Sequence, residues 1–209
     1  VTIVVNRPNT PRAGADQEIC ADSAFLQANM PGPNQTGRWE VVEGSGRFED
    51  PNDPNTKVTH MSHGSNTYRW NISYKKCNLY DDVTIVNNMP TYANAGQDIH
   101  VCGDQVRLNA ADPSIGTGRW SLVSGQADFS DASDANTVVS NLGFGPNTLR
   151  WETTHEGCSS IDDITVYNDK ASAYAGVDQE VYRDSTTLVA TRASRGEGKW
   201  IILGGSGTF

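Results

Sequence analysis

The strongest constraint on this chain is that it repeats itself. "TGRWEVVEGSGRF" (Thr36–Phe48) returns as "TGRWSLVSGQADF" (Thr117–Phe129) and as "GEGKWIILGGSGTF" (Gly196–Phe209). In each copy a Trp precedes a Phe by the same interval: Trp39 and Phe48, Trp120 and Phe129, Trp200 and Phe209. The period extends beyond this segment. "AGADQEIC" at Ala13 is matched by "AGQDIHVC" at Ala95 and "AGVDQEVY" at Ala175, "NTYRW" at Asn66 by "NTLRW" at Asn147, and "DDVTIVN" at Asp81 by "DDITVYN" at Asp162. A fixed period marks one structural unit per copy. The spacing divides the chain into residues 1–8, whose "VTIVVN" matches the closing "VTIVNN" at Val83, then repeats 9–89 and 90–169, then 170–209 as the first half of another. Each unit has about 81 residues in which to bury a core.

Within a unit the apolar residues alternate, which is the period of a strand. Ala24, Leu26 and Ala28 point one way, as do Tyr68, Trp70 and Ile72, while Arg69 points out. Trp39 shares a face with Val41, Trp120 with Leu122 and Trp200 with Ile202, and Val83 and Ile85 complete the set. Turn formers separate these runs: "MPGPNQTG", "EGSG", "DPNDPNT", "SHGSN". Gly44 and Gly46 suit the turn between Trp39 and Phe48, since glycine tolerates positive φ. No stretch carries a helical stripe. About seven short strands per unit predict an all-β fold of tandem immunoglobulin-like β-sandwich repeats. The recurring aromatics then belong to the core, with a surface platform for sugars as the competing assignment.

Four cysteines, Cys20, Cys77, Cys102 and Cys158, fall two to each complete repeat, while Tyr182 occupies the position in the third. Of the three possible connectivities, Cys20 with Cys77 and Cys102 with Cys158 keeps each bridge inside one repeat. The alternative is free thiols, and no pair has the C-x-x-C spacing of a zinc site. Such bridges would lock about 57 of about 81 residues, limiting a pulled repeat to roughly 80 Å instead of roughly 275 Å. Disulfides also predict an oxidising compartment, outside the cytosol.

The net charge of −9 and pI near 4.8 argue against non-specific binding to nucleic acid, which needs a basic surface. No apolar run is long enough to span a membrane as a helix. His60, His63, His100 and His155 do not recur at equivalent positions, no G-x-S-x-G occurs, and the Gly-rich pieces sit in hairpins. The expectation is therefore no enzymatic activity. Asp81, Asp82, Asp162 and Asp163, with Asp16, Asp98 and Asp178, are candidate calcium ligands near the repeat ends, with turn capping as the plainer role and no other cofactor indicated. Arg38, Arg69, Arg119 and Arg150 recur on outward positions and read as a solvated face, with pairing to nearby carboxylates as the alternative.

The motifs "AGxDQxxC", "GRWxxxxGxGxFxDPNxPNTxV", "NTYRW" and "DDVTIxN" resemble the immunoglobulin-like repeats of giant surface adhesins of gliding Bacteroidota, of the SprB type, over essentially the whole chain. The resemblance implies export by the type IX secretion system, display at the outer cell surface, and service in attachment and gliding motility. The implied partners are neighbouring repeats, with motility and secretion machinery and external polysaccharide reached through other parts of the parent protein. It also gives meaning to "DSA" at Asp22 and "DST" at Asp184, which match the Bacteroidota O-glycosylation pattern and mark Ser23 and Ser185. The chain departs from the family at Tyr182. Two other functions remain open: a polysaccharide-binding module, or spacer modules of a secreted enzyme.

Overall fold

The computed structural model describes residues 7–193 and 196–209. The strand expected over residues 1–8 lies, apart from its last two residues, outside them. The first repeat forms β1 (Gln17–Ile19), β2 (Ala24–Phe25), β3 (Thr36–Glu43), β4 (Arg47–Phe48), β5 (Lys57–Thr59), β6 (Gly64–Tyr74) and β7 (Cys77–Asn87). The second forms β8 (Ile99–Val101), β9 (Val106–Arg107), β10 (Thr117–Ser124), β11 (Asp128–Phe129), β12 (Val138–Ser140), β13 (Gly145–His155) and β14 (Cys158–Asn168). Each repeat is a two-sheet immunoglobulin-like sandwich. The sheets run β1-β7-β6-β3 over β2-β5-β4, and β10-β13-β14-β8 over β11-β12-β9.

The long β6–β7 hairpin is the spine of the first sandwich, pairing from Gly64↔Asn87 to Tyr74↔Cys77. Its alternation puts Tyr68, Trp70 and Ile72 inward, and all three are fully buried. Trp39 crosses from β3 to pack on Trp70, with ring centroids 5.1 Å apart, and on Phe48 at 6.3 Å. The second sandwich repeats this with Trp120 against Trp151 at 5.2 Å and Phe129 at 6.4 Å. Each buried indole also donates its N–H to a backbone carbonyl: Trp39 to Asp53, Trp70 to Asn29, Trp120 to Ala135, Trp151 to Ala111. The rings thus fill the core without leaving an unsatisfied donor. Truncating Trp70 to Ala removes about 3–5 kcal/mol on the usual scale for such a change. The recurring Trp–Phe interval is the core placement that the sequence predicts.

The alternation fails at one place. Alternation puts Val41 and Leu122 beside the core Trp, yet both are exposed. β3 is an edge strand, and its register shifts between Val41 and Glu43, so its last turns leave the core.

The turn glycines divide into two cases. Gly44 and Gly125 have φ of 77° and 91°, and a Cβ at either would strike the side chain of Asn66 or Asn147. Gly46 is needed for space alone, because a Cβ there would come within 2.7 Å of the Val58 Cγ2 and 2.8 Å of the Tyr68 hydroxyl. In the second repeat Leu149 stands at the Tyr68 position and Ala127 at the Gly46 position. Losing the hydroxyl makes room for the methyl.

The third copy is less regular. Among the described residues of 170–209 the backbone pairing is a single bridge, Tyr174↔Thr191. Trp200 stacks on Phe209 at 6.3 Å as in the other copies, but stays 38% exposed. The counterparts of β6 and β7, which supply the facing half of the core, have no equivalent within these residues.

The sheets follow the repeats, but the compact units do not. One unit joins the residues up to Ala93 with Asp112–Gly118 and Glu152–Ile161. The other holds Asn94–Ala111, Arg119–Trp151 and Asp162–Phe209. The β13–β14 turn of the second repeat therefore belongs to the same compact unit as the first sandwich.

Candidate functional site

The residues that distinguish this array from a plain pair of sandwiches lie at the repeat ends. Two carboxylates fasten each incoming segment to the sheet. Asp16 accepts the Thr84 N–H at 2.8 Å, and Asp81 accepts the Ala13 N–H at 2.8 Å. Asp98 with Thr165 and Asp162 with Ala95 repeat both bonds at the same lengths. These bonds hold β1 parallel to the end of β7, with Gln17 opposite Ile85 and Ile19 opposite Asn87. They hold β8 in the same way, with Ile99 opposite Val166 and Val101 opposite Asn168.

The neighbouring carboxylates face the other side of the strand. Arg69 grips Asp82 through two bonds of 2.8 Å and lies 3.7 Å from the Tyr80 ring. Arg150 grips Asp163 likewise. The guanidinium bonds hold Asp82 and Asp163 below the usual carboxylate range. The outward arginines of β6 and β13 are thus paired rather than simply solvated. Consecutive strand residues point to opposite faces. Asp81 and Asp82 therefore do not converge, nor do Asp162 and Asp163, and each already has a partner. Among the described residues no group of three or more His, Cys, Asp or Glu side chains could hold a metal ion. The "DPNDPNT" and "SDASDANT" loops are capped turns: Asp50, Asp53, Asp131 and Asp134 each accept the N–H two residues on.

The cysteine pairing differs from the sequence expectation. Cys20 is bonded to Cys158, 138 residues away, with Cα atoms 5.4 Å apart. Cys77 and Cys102 are free and exposed. The reason is the parallel edge strand. β1 pairs with the far end of β7, so Cys20 sits just past Asn87, whereas Cys77 begins that 11-residue strand. Eleven residues of strand separate the two by roughly 33 Å. A disulfide needs Cα atoms within about 7 Å. Cys102, just past β8, and Cys158, at the start of β14, stand at opposite ends of their sheet in the same way. Pairing within a repeat is excluded by geometry, and the bridge runs from the edge-strand end of the first repeat to the hairpin of the second. Near the same bridge His63 packs on His155, with ring centroids 5.0 Å apart. The other two histidines are placed elsewhere: His100 bonds Asp169 at 2.7 Å and stacks on Tyr167, and His60 contacts Thr59.

One functional pair carries no chemical signal beyond its recurrence. Asn66 is fully buried, with its oxygen accepting from the Ser45 N–H and the Ser62 hydroxyl and its amide donating to the Ser62, Gly64 and Ile85 carbonyls. Asn147 does the same for Gln126, Gly143, Gly145 and Val166. These amides tie the β3–β4 turn to the start of the spine hairpin. Their place in "NTYRW" and "NTLRW" was legible, but their role was not. Of the two candidate glycosylation sites, Ser185 is exposed and Ser23 is half-buried just before β2.

No family model matches this chain, and no curated protein does. Several solved structures align with it. Extracellular domains 3–5 of Drosophila OTK align at 11% identity and a TM-score of 0.40, covering 76% of this chain and 59% of theirs. The insect immune protein hemolin aligns at 11% identity and a TM-score of 0.49, covering 79% of this chain and 48% of that one. The titin fragment I67–I69 aligns at 9% identity and a TM-score of 0.34. The chain spans about half to three-fifths of the first two. At these levels the likenesses carry no argument about function.

Proposed function

We propose that the chain is a load-bearing spacer segment of a large secreted surface adhesin. The observation that supports this is a covalent bridge closing a 138-residue loop across two sandwiches whose four indole rings, Trp39, Trp70, Trp120 and Trp151, are all spent on packing. A bridge of that span keeps most of the chain from being drawn out under tension, which suits a tether better than a catalyst. It also suits assembly in an oxidising compartment, outside the cytosol. The finer reading follows the motif resemblance: type IX export in a gliding Bacteroidota species, with grip on external polysaccharide supplied by other parts of the parent protein. The test is antibody labelling of intact source cells, with and without a working type IX system. Surface label that disappears when that system is removed, with attachment or gliding lost when the parent gene is deleted, is the expected result. Antigen confined to the cell interior would refute it.

A further inference from the structure

We propose that Cys77 and Cys102 are each half of a bridge to a flanking repeat, so that disulfides join consecutive repeats of the parent chain wherever both cysteine positions are kept. The proposal rests on the tandem architecture and is independent of what the parent protein grips. Four observations converge on it. Cys77 begins β7 as the bridged Cys158 begins β14, and Cys102 follows β8 as the bridged Cys20 follows β1. The backbone presenting each pair is duplicated: the two hairpins carry Lys75 and Glu156 at positive φ of 53° and 43°, and the two edge strands share one parallel register and one Asp clamp. Neither free thiol can close within its own repeat, because edge strand and hairpin lie at opposite ends of the sheet. Finally, the hairpin cysteine is covered where it is paired: Cys158 is 4% exposed and its counterpart Cys77 is exposed, while at the edge-strand position Cys20 and Cys102 are both exposed.

The one bridge present fixes the direction. The edge-strand cysteine of a repeat takes the hairpin cysteine of the repeat after it. Cys77 therefore takes the edge-strand cysteine of the repeat before it, and Cys102 the hairpin cysteine of the repeat begun at about residue 170. In forming each bridge the two thiols give two protons and two electrons to a donor disulfide, which leaves as a dithiol, so the balance closes by thiol–disulfide exchange. The pattern also gives Tyr182 a consequence. It replaces the edge-strand cysteine of the third copy and is 93% exposed, so no bridge can leave that repeat forward. The parent chain should then carry a hairpin cysteine roughly eighty residues after Cys158, and none at the hairpin of the repeat after that.

The test is to treat the parent protein, as secreted and unreduced, with iodoacetamide, digest it and map cross-linked peptides by mass spectrometry. Cys77 and Cys102 should escape alkylation and appear joined to cysteines outside residues 1–209. In the isolated 209-residue chain the same treatment should alkylate both and spare Cys20 and Cys158. Alkylation of either thiol in the parent protein would overturn the proposal. So would a link between Cys77 and Cys102, or a partner within the same repeat.

Discussion

Reducing the Cys20–Cys158 bridge should change how far the chain can be stretched by an amount that identifies the pairing. When the chain is pulled by its ends, load reaching Cys20 passes through sulfur to Cys158, and the 138 residues between them stay out of the path. At about 3.4 Å per extended residue that is roughly 470 Å of withheld length. The folded contribution to subtract is small, since the bridged Cα atoms are 5.4 Å apart. An optical-trap or force-microscope experiment on the chain tethered by its ends should therefore release only roughly 40 Å from each sandwich when oxidised, the length of the dozen or so repeat residues on either side of the bridge. With reductant, or with Cys158→Ser, two steps should appear, each near the roughly 275 Å expected of an unbridged repeat of about 81 residues. Bridges within each repeat would give a different record: two steps of roughly 80 Å in the oxidised chain. Observing those steps, or no dependence on reductant, would refute the geometry. The same loop predicts an equilibrium effect. Closing 138 residues lowers the entropy of the unfolded chain by an amount worth about 5 kcal/mol in the chain-entropy model. The denaturation midpoint should accordingly fall on reduction.

Asn147→Ala should destabilise the second sandwich by about 3 kcal/mol in urea unfolding, because it strands several buried backbone groups at once. Gly46→Ala should cost about 1–3 kcal/mol by overpacking against Val58 and the Tyr68 ring, and combining it with Tyr68→Leu should recover the part due to Tyr68. Burial pushes the Tyr68 phenol up from 10.0 to about 12. Its folded pKa lies above its unfolded one, so the associated stability is complete below pH 10 and is lost as pH rises through 12. Alkaline unfolding followed by near-UV absorbance should flatten in that window for Tyr68→Phe.

The sequence by itself determined the local and periodic features. The alternation in "NTYRW" committed Tyr68 and Trp70 to one face, the interval from Trp39 to Phe48 paired two rings across a turn, and the Asp and Asn pairs of "DPNDPNT" wrote their own capped turns. These follow from chemistry a few residues wide, and repetition removed accidental matches. The edge behaviour of Val41 was less legible, since alternation says which way a side chain points but not whether another sheet covers it. Asn66 and Asn147 recur visibly, yet their bonds reach 19 to 21 residues along the chain to carbonyls that no motif specifies. The cysteine pairing was decided by tertiary structure alone. Counting two cysteines per repeat invites pairing within the repeat. A parallel edge strand instead sets them at opposite ends of a rigid 11-residue strand. Composition cannot register that separation, because strand direction is settled only when the sheet assembles.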